Sequence, residues 1–413
     1  MTIHRISLVH PIGNPFARNA AIAFWELGIL HEIITSIAYN PTVDQRWLSF
    51  LPASLRLALQ AELGRRTWVP PDEVRMQTHP WREVLRIALA KSGLDRRLGF
   101  PRQQLADWVY ADLDRHVAAH HLAELDAVYA YEDGAAATFD AAKQQGITCL
   151  YDLPIAFYPT SQRIQREEAA LFPELAPALQ AVQEPGWKLA RKEREIQLAD
   201  AIVVPSSFVR DSLVAAGVPS DRVHVIPFGA PIDYFQARST PPSRFRPLFV
   251  GRVGPRKGVH YLLQAWQELQ LPDAELRLVG INEFPPGWLE RYGHLVDYIP
   301  SVPHASLPQY YHAASVLVLP SLVEGMALVL LEAMACGLPI LTTPHAGGPD
   351  IITDGVEGFI IPIRDRGALK DRLEWCHQNP EALAEMGLAA RRRAEQLTWG
   401  LYRERIGAIV REL

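Results

Sequence analysis

The chain has 413 residues, 48% of them hydrophobic and 21% charged, with a formal net charge of −5. That make-up is ordinary for a soluble globular protein, and the length calls for two domains rather than one core. The acidic balance and the lack of any nucleic-acid-binding motif exclude a general DNA or RNA binder.

From the N-terminus, Ile6 to Val9 reads as a strand, His10-Pro11-Ile12-Gly13-Asn14-Pro15 as a loop, and about Ala17 to Leu27 as a helix closed by Gly28. Glu32 to Ile37 is the next strand. This β-α-β opening predicts a doubly wound sheet, with Gly13 at the carboxyl end of its first strand, where such sheets bind ligands. It is not a dinucleotide fingerprint, because the three spaced glycines are missing. No secretory signal or bilayer-length apolar run is found, so a cytoplasmic protein is expected. Three scattered cysteines, Cys149, Cys336 and Cys376, form neither a disulfide framework nor a zinc site and fit a reducing compartment.

Residues 51–102 differ from the rest. They read as helices broken by Pro70-Pro71 and Pro80, with Leu51, Leu55, Leu59 and Leu63 every fourth residue and Arg56, Arg65 and Arg66 nearby. Ten Lys or Arg stand against five Asp or Glu, net +5 in an acidic chain. One reading is a helical insert with a solvated basic face. The other is a patch for a phosphorylated acceptor or for the anionic inner face of a membrane.

Ala127 to Tyr131 and Ile147 to Tyr151 are strands that end at Glu132-Asp133-Gly134 and Asp152-Leu153-Pro154. Carboxylates at the ends of neighbouring strands are expected over one crevice; Asp152 also suits a turn start, and Glu132 or Asp133 a helix cap. Residues 160–198 are helical, and their alternating charges, Arg163 and Glu167 through Lys188, Lys192 and Glu195, read as solvated faces. Ala201 to Val204 and Val223 to Ile226 complete the first domain. A proline-bearing linker, residues 237–247, separates residues 1–236 from a second β/α domain over 248–394. Its strands are Leu248 to Gly251, Glu275 to Val279, Leu295 to Ile299, Val316 to Leu319, Ile340 to Thr342 and Phe359 to Ile361. Two helical segments, with Trp399 near the break between them, end the chain.

Two stretches of this domain carry chemistry. Gly251-Arg252-Val253-Gly254-Pro255-Arg256-Lys257-Gly258 is a glycine-rich cationic loop between a strand and a helix. Its glycines let backbone approach an anion, and its forked Arg and point-charge Lys suit a diphosphate. The second runs from Ser315 to Gly337: an apolar strand, the loop Ser321 to Gly325, then a helix of Ala, Leu, Met and Glu that Gly337 stops. The free amides at that helix start form an anion site. Glu324 stands just before it and Glu332 lies on it among Leu330, Leu331, Ala333 and Met334, an odd place for an unpartnered carboxylate.

Glu324-Gly-Met-Ala-Leu-x-x-Leu-Glu332-Ala-Met-Ala-x-Gly337-x-Pro339 resembles the paired-glutamate signature of the family 4 glycosyltransferases, which are retaining enzymes. The resemblance implies an α/β GT-B fold, two Rossmann-like doubly wound domains facing across a cleft, with residues 395–413 crossing back to the first, acceptor-side domain. It implies transfer of a sugar from a nucleoside-diphosphate sugar to a hydroxyl of a carbohydrate, lipid-linked or small-molecule acceptor, with no metal or other cofactor. Arg252 and Lys257 would hold the donor diphosphate and Arg256 would be a bystander. Glu332 would bind the ribose hydroxyls. Glu324, Gly325 and the backbone of Met326, Ala327 and Leu328 would orient the sugar, Ser301 and Val302 would flank the base, and Gly13 would face the donor. The family often has a histidine where this chain has Asp152, and a Glu where it has Asp350. A phosphorylase or epimerase acting on a nucleotide sugar, or a non-catalytic sugar-nucleotide-binding subunit, are the competing readings.

Overall fold

The computed structural model describes residues 3–41, 63–64, 66–238, 242 and 244–413. Leu51, Leu55, Arg56, Leu59 and Arg65 of the basic insert, and part of the linker, lie outside the described residues. Thirteen strands are described. In chain order the first seven are β1 (Ile6–Val9), β2 (Leu30–Thr35), β3 (Arg75–Thr78), β4 (Ala127–Tyr131), β5 (Thr148–Asp152), β6 (Ala201–Val204) and β7 (Val223–Val225). They form one sheet in the order β3-β2-β1-β4-β5-β6-β7. The other six are β8 (Pro247–Val250), β9 (Leu276–Val279), β10 (Val296–Ile299), β11 (Val316–Leu319), β12 (Ile340–Thr342) and β13 (Gly358–Ile360). Their order is β10-β9-β8-β11-β12-β13.

Every described pairing in both sheets is parallel. Central strands such as β1, β4, β8 and β11 are buried along their whole length. That is why they read as unbroken apolar runs rather than as alternation. In each sheet the order reverses beside the first strand, between β1 and β4 and between β8 and β11. At such a reversal the two following loops diverge to opposite faces and leave room at the carboxyl ends of the strands.

The chain divides into two compact units, residues 1–152 with 186–203 and 403–413, and residues 153–185 with 204–402. The last helix, Trp399–Glu412, carries the chain back to the first unit. There Arg403 pairs with Glu26 at 3.0 Å, and a Cβ at Gly407 would sit 3.2 Å from Leu27.

Two local expectations are corrected. Residues 75–78, inside the stretch read as broken helix, form β3, paired among the described residues with β2 alone. An edge strand has one neighbour and little burial, so Arg-Met-Gln-Thr can serve without an apolar pattern. The helix Gly186–Leu198 does not present all its charges to solvent: Lys188, Lys192 and Glu195 are buried. Lys188 bridges Asp107 at 2.8 Å and Asp133 at 2.9 Å, and Lys192 meets Glu132 at 2.8 Å. Glu195 accepts from the Asp133 and Ala135 amides and the Tyr151 hydroxyl, and burial pushes its carboxyl up to about 8. Ion pairing on this scale permits burial that sequence periodicity alone does not signal.

Candidate active site

In the second sheet the loop after β8 and the loop after β11 flank the strand-order reversal. They are joined backbone to backbone: the Leu322 amide donates to the Arg256 carbonyl at 3.0 Å. Gly258 has φ +68°, and a Cβ there would lie 2.0 Å from the Pro320 carbonyl oxygen, so only glycine permits this approach. The consequence is electrostatic. Lys257 donates to Glu324 Oε2, and Arg256 reaches the same oxygen at 3.1 Å while also donating to the Val323 carbonyl at 2.8 Å. Burial would raise the Glu324 carboxyl, but the Lys257 and Arg256 charges hold it down at about 2, so it is ionised.

Arg256, set aside as a bystander on sequence, is therefore part of the charge cluster. Arg252 is not in contact with Glu324. It is largely exposed and pairs with Glu283, which follows β9. Glu283 is the acid that sequence reasoning missed, and its signal was its place just past the carboxyl end of a strand. A Cβ on Gly254 would come within 3.0 Å of the Glu283 Cβ, so the glycine leaves space for that side chain.

Glu332 lies on the helix Leu328–Ala335 and is buried. Both carboxylate oxygens are engaged: the buried Tyr311 hydroxyl donates to Oε2 at 2.7 Å, and His304 Nε2 lies 3.0 Å from Oε1. The hydrogen bond to Glu332 raises the affinity of His304 for a proton. His304 follows Ser301 and Val302 in the loop after β10, which links that loop to Glu332. Tyr311 and His304 are further partners that no motif in the chain singles out.

The helix bearing Glu332 has no side-chain N-cap, so its first-turn amides lack that partner. Ala327 N–H points at the Ala346 carbonyl, 3.4 Å away, and the Met326 sulfur accepts from the Phe228 amide at 3.4 Å. Gly325 is pinned on both sides. Its carbonyl accepts from Ser206 Oγ at 2.8 Å, and a Cβ there would meet the Pro154 oxygen at 1.8 Å. Asp350 accepts from the amide and hydroxyl of Ser207, at 3.0 Å each, and so fixes the start of the helix Ser207–Val214.

In the first unit, Gly13 lies after β1 with φ +58°, under Trp68, whose ring a Cβ would meet at 2.1 Å. Its amide donates to His10 Nδ1 at 2.9 Å and its carbonyl accepts from Arg18 Nε at 2.7 Å. His10 is buried, and burial with the nearby Arg18 charge lowers it to about 3, so it is neutral. Asp152 ends β5. It is buried and accepts from the Tyr129 hydroxyl at 2.7 Å. Burial, offset only by that bond, pushes its carboxyl up to about 7. Glu132 and Asp133 turn to Lys192 and Lys188 instead, as described above. Among the described residues no cluster of His, Cys, Asp or Glu has the arrangement of a metal site, and no helix is long and apolar enough to cross a membrane.

The two parallel sheets are of the GT-B type, and comparison with known proteins agrees. The sequence model of the glycosyl transferases group 1 matches residues 233–393, and that of Glycosyltransferase Family 4 matches residues 171–234. The chain belongs to this glycosyltransferase family. A D-inositol 3-phosphate glycosyltransferase of Streptomyces bingchenggensis is 29% identical over 243 residues, 52% of this chain and 53% of that protein. A GDP-mannose-dependent alpha-(1-6)-phosphatidylinositol monomannoside mannosyltransferase of Mycolicibacterium smegmatis is 30% identical over 217 residues, 47% of this chain and 57% of that protein. The match thus spans about half the length of these curated relatives.

Among solved structures, sucrose-phosphate synthase of Thermosynechococcus elongatus superposes with a TM-score of 0.69 at 19% identity, covering 99% of this chain and 98% of that one. Anabaena HepE in complex with UDP gives 0.63 at 16% identity, covering 99% of this chain and 100% of that one. At such identities these likenesses establish the fold.

Proposed function

We propose that the chain is a retaining glycosyltransferase that moves a sugar from a nucleoside-diphosphate sugar to a hydroxyl of a carbohydrate, lipid-linked or small-molecule acceptor. The observation that carries this reading is the cluster of Lys257, Arg256 and Glu324 across the strand-order reversal of the second sheet. A diphosphate leaves readily only when its developing negative charge is stabilised by groups already in place. Lys257 and Arg256 are held ready by Glu324, and Arg252 by Glu283. A bound diphosphate takes over these cations, which frees Glu324 to accept hydrogen bonds from the sugar hydroxyls. The uncapped helix start at Leu328 adds its amides and dipole. Glu332 receives the ribose hydroxyls, which displace the exposed His304 while Tyr311 keeps the carboxylate in place. Ser301 and Val302 flank the base. Asp152 belongs to the acceptor half of the reaction, where it replaces a family histidine as the group that holds a proton near neutral pH.

The domain limits proposed with this reading are residues 1–236 for the acceptor side and 248–394 for the donor side, with the linker at 237–247 and the returning segment at 395–413. Relatives with UDP or GDP-mannose in their names make uridine and guanosine diphosphate sugars the first donors to try. The test is thermal stability against UDP-, GDP-, ADP- and CDP-sugars. A true donor at about 100 times its Kd adds roughly 2.7 kcal/mol of stability. The shift is expected to disappear in Lys257→Ala, and the absence of a shift with all four classes would overturn the reading.

A further inference from the structure

The helix Trp81–Ser92 is built inside out. Its buried side chain is an acid, Glu83, gripped by Arg66 at 3.0 Å and by Arg86, while its apolar stripe faces solvent. Trp81, Val84, Leu85 and Ala88 recur at helical spacing along that stripe, and Trp81 is 64% exposed. Leu98 and Phe100, past the end of the helix, are also exposed, at 57% and 49%. A hollow of about 420 Å³ opens among Trp81, Leu85 and Trp108, with the Arg82 guanidinium 4.4 Å above the Trp108 ring. Burying a carboxylate while exposing a tryptophan and two leucines is the reverse of what a free surface favours, and contiguous exposed apolar surface marks a partner.

The charges say which partner. Between residues 81 and 102 the only acids are Glu83 and Asp95, and both are buried. Lys91 and Arg97 remain exposed, and Arg102 is exposed while pairing with the buried Asp95 at 3.2 Å, so this stretch offers solvent apolar groups and positive charge together. An apolar protein partner would not need the cations, and a free anion would not need the tryptophan. Anionic headgroups above hydrocarbon satisfy both. We infer that the face formed by Trp81, Val84, Leu85 and Ala88, followed in the chain by the exposed cations Lys91 and Arg97, adsorbs to the surface of an anionic lipid bilayer. The helix starts three residues past the end of β3, at the carboxyl edge of the first sheet. Gly13 and Asp152 lie along the same edge, so adsorption there would hold the acceptor side of this unit against the lipid. The inference goes beyond the transfer reading and does not require it, because its test involves no sugar.

The experiment is co-sedimentation of the full chain with vesicles of phosphatidylglycerol and phosphatidylcholine, or of phosphatidylcholine alone. Binding is expected only to the anionic vesicles. Trp81→Ser with Leu85→Ser should weaken it roughly tenfold or more through lost apolar burial, and Arg97→Glu about fivefold or more, with melting temperature unchanged in each. Failure of the unaltered chain to bind anionic vesicles, or equal binding by the variants, overturns the inference. Leu85→Cys gives an independent readout, because the three native cysteines are buried. Alkylation at position 85 should be fast in the free protein and slowed by anionic vesicles. Slow alkylation without vesicles would mean that another segment of the chain or a second copy already covers the face, and overturns the inference as well.

Discussion

The two sheets share a strand order yet treat the place where that order reverses in opposite ways. After β8 and β11 the second sheet gathers exchangeable charge: Lys257, Arg256 and Glu324 in one cluster, Arg252 on Glu283 beside it. After β1, β4 and β5 the first sheet gathers buried groups that are neutral or locked in pairs: His10 under aromatic rings, Asp152 on Tyr129, Glu132 and Asp133 on lysines. The common topology supplies the position, and the side chains decide what happens there. On the proposed reading a diphosphate would take over the cations of the second sheet, whereas the first sheet would offer shape and a proton.

The largest expected effect tests the charged end. Lys257→Ala removes the cation closest to Glu324 and should lower donor turnover by about two to three orders of magnitude, the usual loss for one preorganised charge contact. Steady-state rates with the donor found by thermal shift check this, and a rate near that of the parent would place the diphosphate elsewhere.

The neutral end has a pH signature instead. Asp152 titrates at about 7 in the fold because burial penalises its charge. A carboxyl raised above its unfolded value contributes stability that is full below the unfolded pKa and is lost as pH rises through the folded one. The loss runs at about 1.4 kcal/mol per pH step of one between those two values, so the chain should lose roughly 2 to 3 kcal/mol from this group between about pH 5 and 8. Asp152→Asn keeps an acceptor for the Tyr129 hydroxyl and cannot ionise. Its melting temperature relative to the parent should therefore rise with pH over that window. A difference independent of pH would show that Asp152 is ionised throughout.

How much of this contrast could be read from sequence follows from the kinds of interaction involved. Ala201–Val204 and Val316–Leu319 were legible to the residue, because fully buried parallel strands must be apolar end to end. The strand-end loop Arg252–Gly258 and the helix bearing Glu332 were legible as elements, from their glycines and from the Ala, Leu and Met run, while the roles given to Arg252, Lys257, Glu324 and Glu332 rest on the family resemblance. β3 was not legible, since a one-neighbour edge strand carries no apolar pattern. Neither were Lys188, Lys192 and Glu195, whose burial rests on partners more than 50 residues away in the chain. Tyr311 escaped because it is defined by Glu332, which it meets only in the fold, and Glu283 because its place past a strand end was its one signal.

Gly13 tests whether shape matters at the neutral end. Its φ of +58° and the Trp68 ring 2.1 Å from a Cβ position make Gly13→Ala strained twice over. A loss of about 1 to 3 kcal/mol in stability is expected by denaturant titration. No loss would mean that Trp68 moves freely and that the loop is not a rigid part of the first sheet.

The smallest effect divides positioning from charge within the second sheet. Tyr311→Phe removes the buried hydroxyl that donates to Glu332, at a cost of roughly 1.5 kcal/mol for a hydrogen bond to a carboxylate. Because Tyr311 touches the carboxylate and not the diphosphate cluster, the substitution should raise the donor KM by about tenfold and leave kcat nearly unchanged, the pattern of lost ground-state binding. A fall in kcat with an unchanged KM would instead tie Glu332 to the transition state, and the division of labour between a ribose carboxylate and a sugar carboxylate would not hold.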